Sequence, residues 1–133
     1  MKILVDTDVL LDVALGRPAF RDDSGGVLSW AEAAPGRAAV AWNSLSNLAY
    51  LLRPGARPFI RDLLTFVDVA QVGTQAMRSA LALSMTDLED AMKAMSALAF
   101  GADRLVTRNV RDFRNSPVPA VTPKAFLGTM RAQ

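Results

Sequence analysis

The acids able to do chemistry in this 133-residue chain fall in three groups. Asp6 and Asp8 form the first, Asp87, Glu89 and Asp90 the second, and Asp112 the third, where it follows Thr107 and Asn109. Cysteine and histidine are absent. Their absence removes disulfides, thiolate zinc sites, cysteine nucleophiles, Ser-His-Asp triads and any catalytic imidazole. An enzyme built on this chain must rest on carboxylates, hydroxyls, Lys or Arg, with a bound metal as the natural complement. Carboxylates alone suit hard, oxygen-seeking ions such as Mg²⁺ and Mn²⁺.

For those acids to act together, the chain must bring them to one place. Lys2 to Val5 is a short apolar run that reads as a buried strand. A helical pattern follows, with Val9, Leu10, Val13 and Ala14 on one face, closed by Gly16-Arg17-Pro18. Val27, Leu28 and Ala31 mark a second helix, begun at Ser24 and ended near Pro35-Gly36. Ala38 to Trp42 reads as a second strand, and Asn43 or Ser44 as the cap of a helix carrying Leu45, Leu48, Leu51 and Leu52. Further helices fall at Phe59 to Val67, at Thr74 to Leu83 with Met77, Ala80 and Leu81 inward, and at Thr86 to Phe100, ended by Gly101. Strands are expected at Val69 to Val72, Arg104 to Thr107 and Pro119 to Val121, with a turn or short helix over Asn109 to Phe113. Thr122-Pro123 reads as the N-cap and first residue of a terminal helix. Strands alternating with helices imply an α/β fold whose central parallel sheet is covered on both faces.

In right-handed strand-helix-strand units each helix begins near the C-terminal edge of the strands. Asp6 ends the first strand at that edge. Asp87, Glu89 and Asp90 begin a helix there, and Thr107, Asn109 and Asp112 follow the strand that this helix feeds. Three distant segments thus deliver oxygen ligands to one rim. Purely structural roles compete with this reading. Asp6 and Asp8 are good N-caps for the first helix. Thr86-Asp87-Leu88-Glu89 has the pattern of a capping box, with Asp87 complementing the helix dipole. Asp112 could pair with Arg108 or Arg111, and Asn109 could cap its turn. Asp90 lies outside the box, on a face shared with Ala94, Ala97 and Gly101. A carboxylate on such a stripe would be partly buried, which is costly unless it is paired or binds a cation. Asp103 falls at the opposite edge and reads as a turn residue.

The 51% apolar composition is enough for one core, and the length fits a single domain over 1–133. No window is apolar enough for a membrane span, and the N-terminus lacks a signal-peptide layout, so a cytoplasmic location is the expectation. The net charge of +2 and pI near 9.5 are compatible with a polyanionic partner without demanding one. Arg outnumbers Lys, which suits bidentate phosphate contacts and equally fits a compositional bias.

Residues Ile3 to Asp12 (ILVDTDVLLD) resemble the opening of PIN domains, where a strand ends in Asp-Thr-Asn/Asp before an apolar helix. Asp87 to Asn109 is similar to the family's acid-bearing helix and its following Thr-Arg-Asn/Asp strand end. Asp112-Phe113 and Ser116 to Phe126 (SPVPAVTPKAF) resemble the tail of the VapC-like toxin branch. The resemblance implies a three-layer α/β/α sandwich and Mg²⁺- or Mn²⁺-dependent hydrolysis of RNA phosphodiester bonds. It ties Asp6 and Asp90 most directly to the metal, with Asp112, Thr107 and Asn109 in the catalytic group. Thr7, Asp8, Asn47, Asp87 and Glu89 would be accessory, and Arg108 and Arg111 would meet RNA phosphates. Clustered carboxylates without metal should raise at least one pKa by mutual repulsion. The implied partners are RNA, an antitoxin protein and a second copy of the chain; Leu51, Leu52, Phe59, Leu63 and Phe66 could supply an interface for the last two, although core packing is their more ordinary role.

Two positions depart from the family pattern. Many PIN domains carry Glu on the helix after the second strand, where this chain has Asn47, and the residue after Thr107-Arg108 is often Asp but here is Asn109. These departures imply one metal in place of two, or a PIN domain that binds RNA or protein without cleaving. Two other readings use the same edge. A haloacid-dehalogenase-like phosphatase would use Asp6 as nucleophile and Asp8 as acid/base, but lacks its late Lys and acidic pair. A receiver-like module would need Asp68, Thr107 and Lys124, and would leave Asp90 without a role.

Overall fold

A computed structural model describes residues 1–133. Ile3, Leu4 and Val5 are uniformly apolar and wholly buried, and they form β1 (Ile3–Val5), the central strand of the sheet. Its neighbours are β2 (Ala38–Val40) on one side and β4 (Arg104–Val106) on the other. β3 (Asp68–Val69) and β5 (Ala120–Val121) complete the edges, in the order β3-β2-β1-β4-β5, with every pairing parallel. Parallel strands buried on both faces need no polar alternation.

Side chains alternate across the sheet, so the two layers of core are read directly from β1. Ile3 and Val5 join Val9, Leu10, Val27, Leu48, Leu63 and Phe126 on one face. These come from α1 (Thr7–Ala14), α2 (Arg21–Ala33), α3 (Trp42–Leu51), α4 (Ala56–Leu63) and α7 (Pro123–Arg131). Leu4 points the other way, with Ala39, Leu105, Ala97 and Phe113. That face is covered by α6 (Leu88–Phe100), with α5 (Thr74–Ala82) packed on it. Ala94 and Ala97 of α6 are fully buried, so the small-residue stripe does let this helix lie close on the sheet. No helix is long and apolar enough to cross a membrane.

Several boundaries differ from expectation, each for a local reason. α2 begins at Arg21, before Ser24, whose hydroxyl is wholly buried and donates to Asp12 instead of capping. Trp42 opens α3 after Ala41, with no side-chain cap. Ser44 is buried and takes the Thr7 hydroxyl at 2.9 Å, while the Asn43 amide donates to the Glu89 carbonyl at 3.2 Å. The expected Thr86–Glu89 box does not form. Asp87 is itself the N-cap of α6, accepting from the Asp90 amide at 3.0 Å, which moves the third helical position from Glu89 to Asp90. Leu81 is exposed because α5 is buried through Ala80. The 3₁₀ turn Val110–Phe113 and the Thr122 cap with Pro123 behind it lie where the spacing places them. Gly101 ends α6 at φ 77°, a left-handed conformation that side chains resist. Of the five apolar residues weighed between interface and core, Leu63 is buried in the core and Leu51 is exposed. Leu52, Phe59 and Phe66 are partly buried against the core.

Candidate active site

β1 and β4 end side by side, with Val5 opposite Val106, so Asp6 and Thr107 are the first residues past the sheet on adjacent strands. The Asp6 amide donates to the Val106 carbonyl at 2.9 Å, which fixes where its side chain starts. Asp6 is also the N-cap of α1, in extended backbone, and its carboxylate accepts from the Thr7 amide at 2.7 Å. The cap therefore sits at the rim to which the sheet edge brings Thr107. The buried Thr107 hydroxyl donates to Asp6 Oδ2 at 2.8 Å and accepts from the Asn109 amide at 3.0 Å. With both functions of the hydroxyl used, Thr107 holds one carboxylate oxygen in place.

Asp8 stands one position into α1 past Thr7. Its Oδ2 accepts from the Arg108 amide at 3.0 Å and the Asn109 side-chain amide at 3.2 Å, with the Thr107 hydroxyl at 3.3 Å. Its other oxygen, Oδ1, is buried and has no hydrogen-bond partner. Burial, then the Asp6 carboxylate, pushes the Asp8 pKa up to about 6, against the pull of the Arg108 amide. Asp90, at the third position of α6, is likewise held up to about 6. Its burial is the main cause, opposed by Lys93, and the carboxylates of Asp87, Asp6 and Asp112 add to the rise. Repulsion among the acids is thus present, but desolvation exceeds it.

Between Asp6 and Asp90 lies a residue that the motif pattern passed over. Lys93 is buried, and its ammonium lies 2.9 Å from Asp6 Oδ1 and 3.6 Å from Asp90 Oδ1. Burial alone would lower its pKa, but the Asp6, Asp90 and Asp8 carboxylates more than reverse this and hold it above the ordinary lysine value. The signal was in the sequence: a lone lysine in the apolar run Ala91-Met92-Lys93-Ala94-Met95, three residues after Asp90 and so on its face.

The remaining candidates spread outward from this centre. Asp112 is exposed and makes no ion pair with Arg108 or Arg111, but it lines a cavity of about 310 Å³ with Asp87, Asp90, Arg111, Arg114 and Asn115. Glu89 is exposed, and its side chain has no hydrogen-bond partner. Asn47 is half-buried on α3 and likewise has no side-chain partner. Arg108 is directed away from the acids of the rim. Its Nε and Nη2 meet the two oxygens of Asp12 at 2.8 and 3.2 Å, and its guanidinium stacks over Phe20 at 3.8 Å. Asp12 is wholly buried and also accepts from Ser24 at 2.8 Å and Arg17 at 3.3 Å. That lock was missed because a helical Asp among leucines gives no hint of its partners.

The donor chemistry of the rim fits a hard divalent ion. Its acids are carboxylates with no histidine or cysteine beside them, although no three of them are drawn together as a metal-ligand group, and the orphaned Asp8 Oδ1 lacks the partner that a buried anionic oxygen needs.

Comparison with known proteins identifies the fold. The family model for the PIN domain matches residues 2–111. A toxin–antitoxin complex from Klebsiella pneumoniae is similar at 23% identity and TM-score 0.69, covering 92% of this chain and 98% of that one. The VapBC2 complex from Rickettsia felis, bound to a promoter DNA fragment, gives 17% identity and TM-score 0.70, with the same coverage of 92% and 98%. A sarcin–ricin loop cleaving toxin from Mycobacterium tuberculosis gives 16% identity and TM-score 0.59, over 78% of this chain and 87% of that chain. At these identities the likeness is one of fold, the three-layer α/β/α sandwich on a parallel sheet. No curated protein matches the chain in sequence.

Proposed function

This chain belongs to the PIN-domain family, and we propose that it is a Mg²⁺- or Mn²⁺-dependent endoribonuclease, the toxin of a toxin–antitoxin pair. The observation that carries this reading is the buried Lys93 ammonium bridging Asp6 and Asp90, with Thr107 holding Asp6 in place and linking it to Asp8 on the same rim. Toxin–antitoxin complexes among the structural neighbours, and a neighbour that cleaves the sarcin–ricin loop, support it.

Asp6 and Asp90, with the free oxygen of Asp8, would hold the metal. A divalent ion held there would supply positive charge beside the phosphate and lower the pKa of a nearby water. The chain's own part is positioning. Thr107 keeps Asp6 from rotating, and the Arg108 and Asn109 donors fix Asp8 while leaving its second oxygen uncommitted. Asp112 and Arg111 line the adjoining cavity, where Arg111 is placed to meet an RNA phosphate. Arg108 acts on the site from behind, through the Asp12 lock and its backbone amide. An antitoxin and a second copy of the chain are the proposed protein partners, and the cytoplasm is the proposed location.

One observation favours a second reading, a PIN domain that binds RNA or protein without cleaving. Lys93 already offsets part of the charge of the Asp6–Asp90 pair, and α3 carries the neutral Asn47 where many PIN domains have an acid. Incubation of the purified protein with structured and unstructured RNAs, with and without Mn²⁺, separates the two. Metal-dependent cleavage that falls by about 10³-fold or more in an Asp6→Asn/Asp90→Asn double variant is expected, a loss of the size seen when charge stabilisation of a transition state is removed. RNA binding without cleavage at any metal concentration would establish the second reading.

A further inference from the structure

We propose that Lys93 is a built-in cation holding the position of the divalent ion, so that metal binding at this rim is an exchange with the Lys93 ammonium. The inference rests on the reading of the rim as a divalent-ion site. It goes beyond that reading in assigning a residue that controls when the ion enters.

Three observations converge on Lys93. The ammonium touches both acids assigned to the metal, at 2.9 Å from Asp6 and 3.6 Å from Asp90. A cation bridging two carboxylate oxygens leaves no room between them for a second one. Lys93 is 7% exposed, so its charge is enclosed by the site and is not a surface charge resting nearby. It also projects from the middle of α6, a helix whose neighbouring positions Ala91, Ala94 and Ala97 are buried and small. An apolar residue at position 93 would complete that packed face, whereas a lysine brings a charge that only the acids justify.

Lysine suits an exchange. Its ammonium is a compact charge on a flexible four-carbon stem, able to withdraw without a backbone shift. In the absence of metal, the ammonium relieves the repulsion among Asp6, Asp8 and Asp90 and keeps the rim ordered. A divalent ion must displace that ammonium, so its affinity is reduced by the free energy of the pair it breaks. The site is therefore closed to trace metal and opens as the free ion concentration rises.

The test measures metal, not catalysis. Mn²⁺ affinity of the full chain is determined by calorimetry for the parent, Lys93→Met and Lys93→Gln, the second variant keeping a polar but uncharged group, one atom shorter, should the first fail to fold. In parallel, amine labelling of the parent by reductive methylation is followed by mass spectrometry as Mn²⁺ is added, with the exposed Lys2 and Lys124 as internal controls. Exchange predicts at least tenfold tighter Mn²⁺ binding in both variants. It also predicts that Lys93, protected without metal, becomes labelled as Mn²⁺ saturates the site. Equal or weaker binding in the variants, or Lys93 protection unchanged in Mn²⁺-saturated parent, overturns it. Tight Mn²⁺ binding by the variants without RNA cleavage by any form would instead count against the nuclease reading and leave the exchange standing.

Discussion

The two ends of α1 carry buried aspartates in opposite circumstances. Asp12, near the C-terminal end, accepts from Arg108 twice, from Arg17 and from Ser24, so one carboxylate is matched by two guanidinium groups and a hydroxyl. At the N-terminal end, Asp6 and Asp8 accept from backbone amides, a hydroxyl and a side-chain amide, and the one ion-pairing cation, the Lys93 ammonium, is divided between Asp6 and Asp90. One oxygen of Asp8 has no partner at all, and two of the three acids are held up to about 6. A satisfied buried ion cluster fixes geometry, and an unsatisfied one keeps a site for a cation from outside. The Asp12 cluster anchors the loop after β4, whose Thr107 and Asn109 then order the acids at the other end.

Damage at the two ends should differ in kind. Asp12→Ala strands the Arg108 guanidinium and empties a wholly buried site, so a loss of about 3–5 kcal/mol in stability is expected by chemical denaturation. Metal-dependent cleavage per folded molecule should survive in part, because Asp6 and Asp90 remain. A variant with parental stability would show that Asp12 is not the structural anchor described here.

A smaller effect concerns pH. Asp8 and Asp90 have native pKa values of about 6 against an ordinary 3.8, so between those values the native state holds protons that the unfolded chain has released. Stability falls wherever the native state binds more protons than the unfolded one. Their favourable contribution is thus full below about pH 4 and is lost as pH rises through 6. In chelated buffer, the melting temperature of Asp90→Asn relative to the parent should climb from pH 4 to 7. A difference that stays flat, or falls, would mean that the rim is not the strained region.

Much of this arrangement is legible in the chain itself. The apolar run ending in Asp6, the capped α6 and the Thr107 strand end are local patterns, and parallel topology then forces them to one rim. That Asp90 is partly buried also follows from its alanine stripe. What the sequence hides is pairing between distant charges. Lys93 resembles any helix lysine until α6 is laid on the sheet and its position three residues past Asp90 points inward. Arg108 reads as a basic residue beside an active site, yet its partner Asp12 sits on another element and turns the guanidinium away. Capping was misplaced by one residue at α6 because Thr86 and Asp87 are both good caps, and only the entry angle of the chain decides between them.

Crystals of the protein equilibrated in Mn²⁺ at concentrations up to tens of millimolar, with data recorded at the manganese edge, test most directly whether Asp6 and Asp90 share a divalent ion. The expected result is an anomalous peak bound by oxygens of Asp6 and Asp90, with the Lys93 ammonium withdrawn from both. An ammonium still seated between the two acids, and no manganese at the rim, would contradict it.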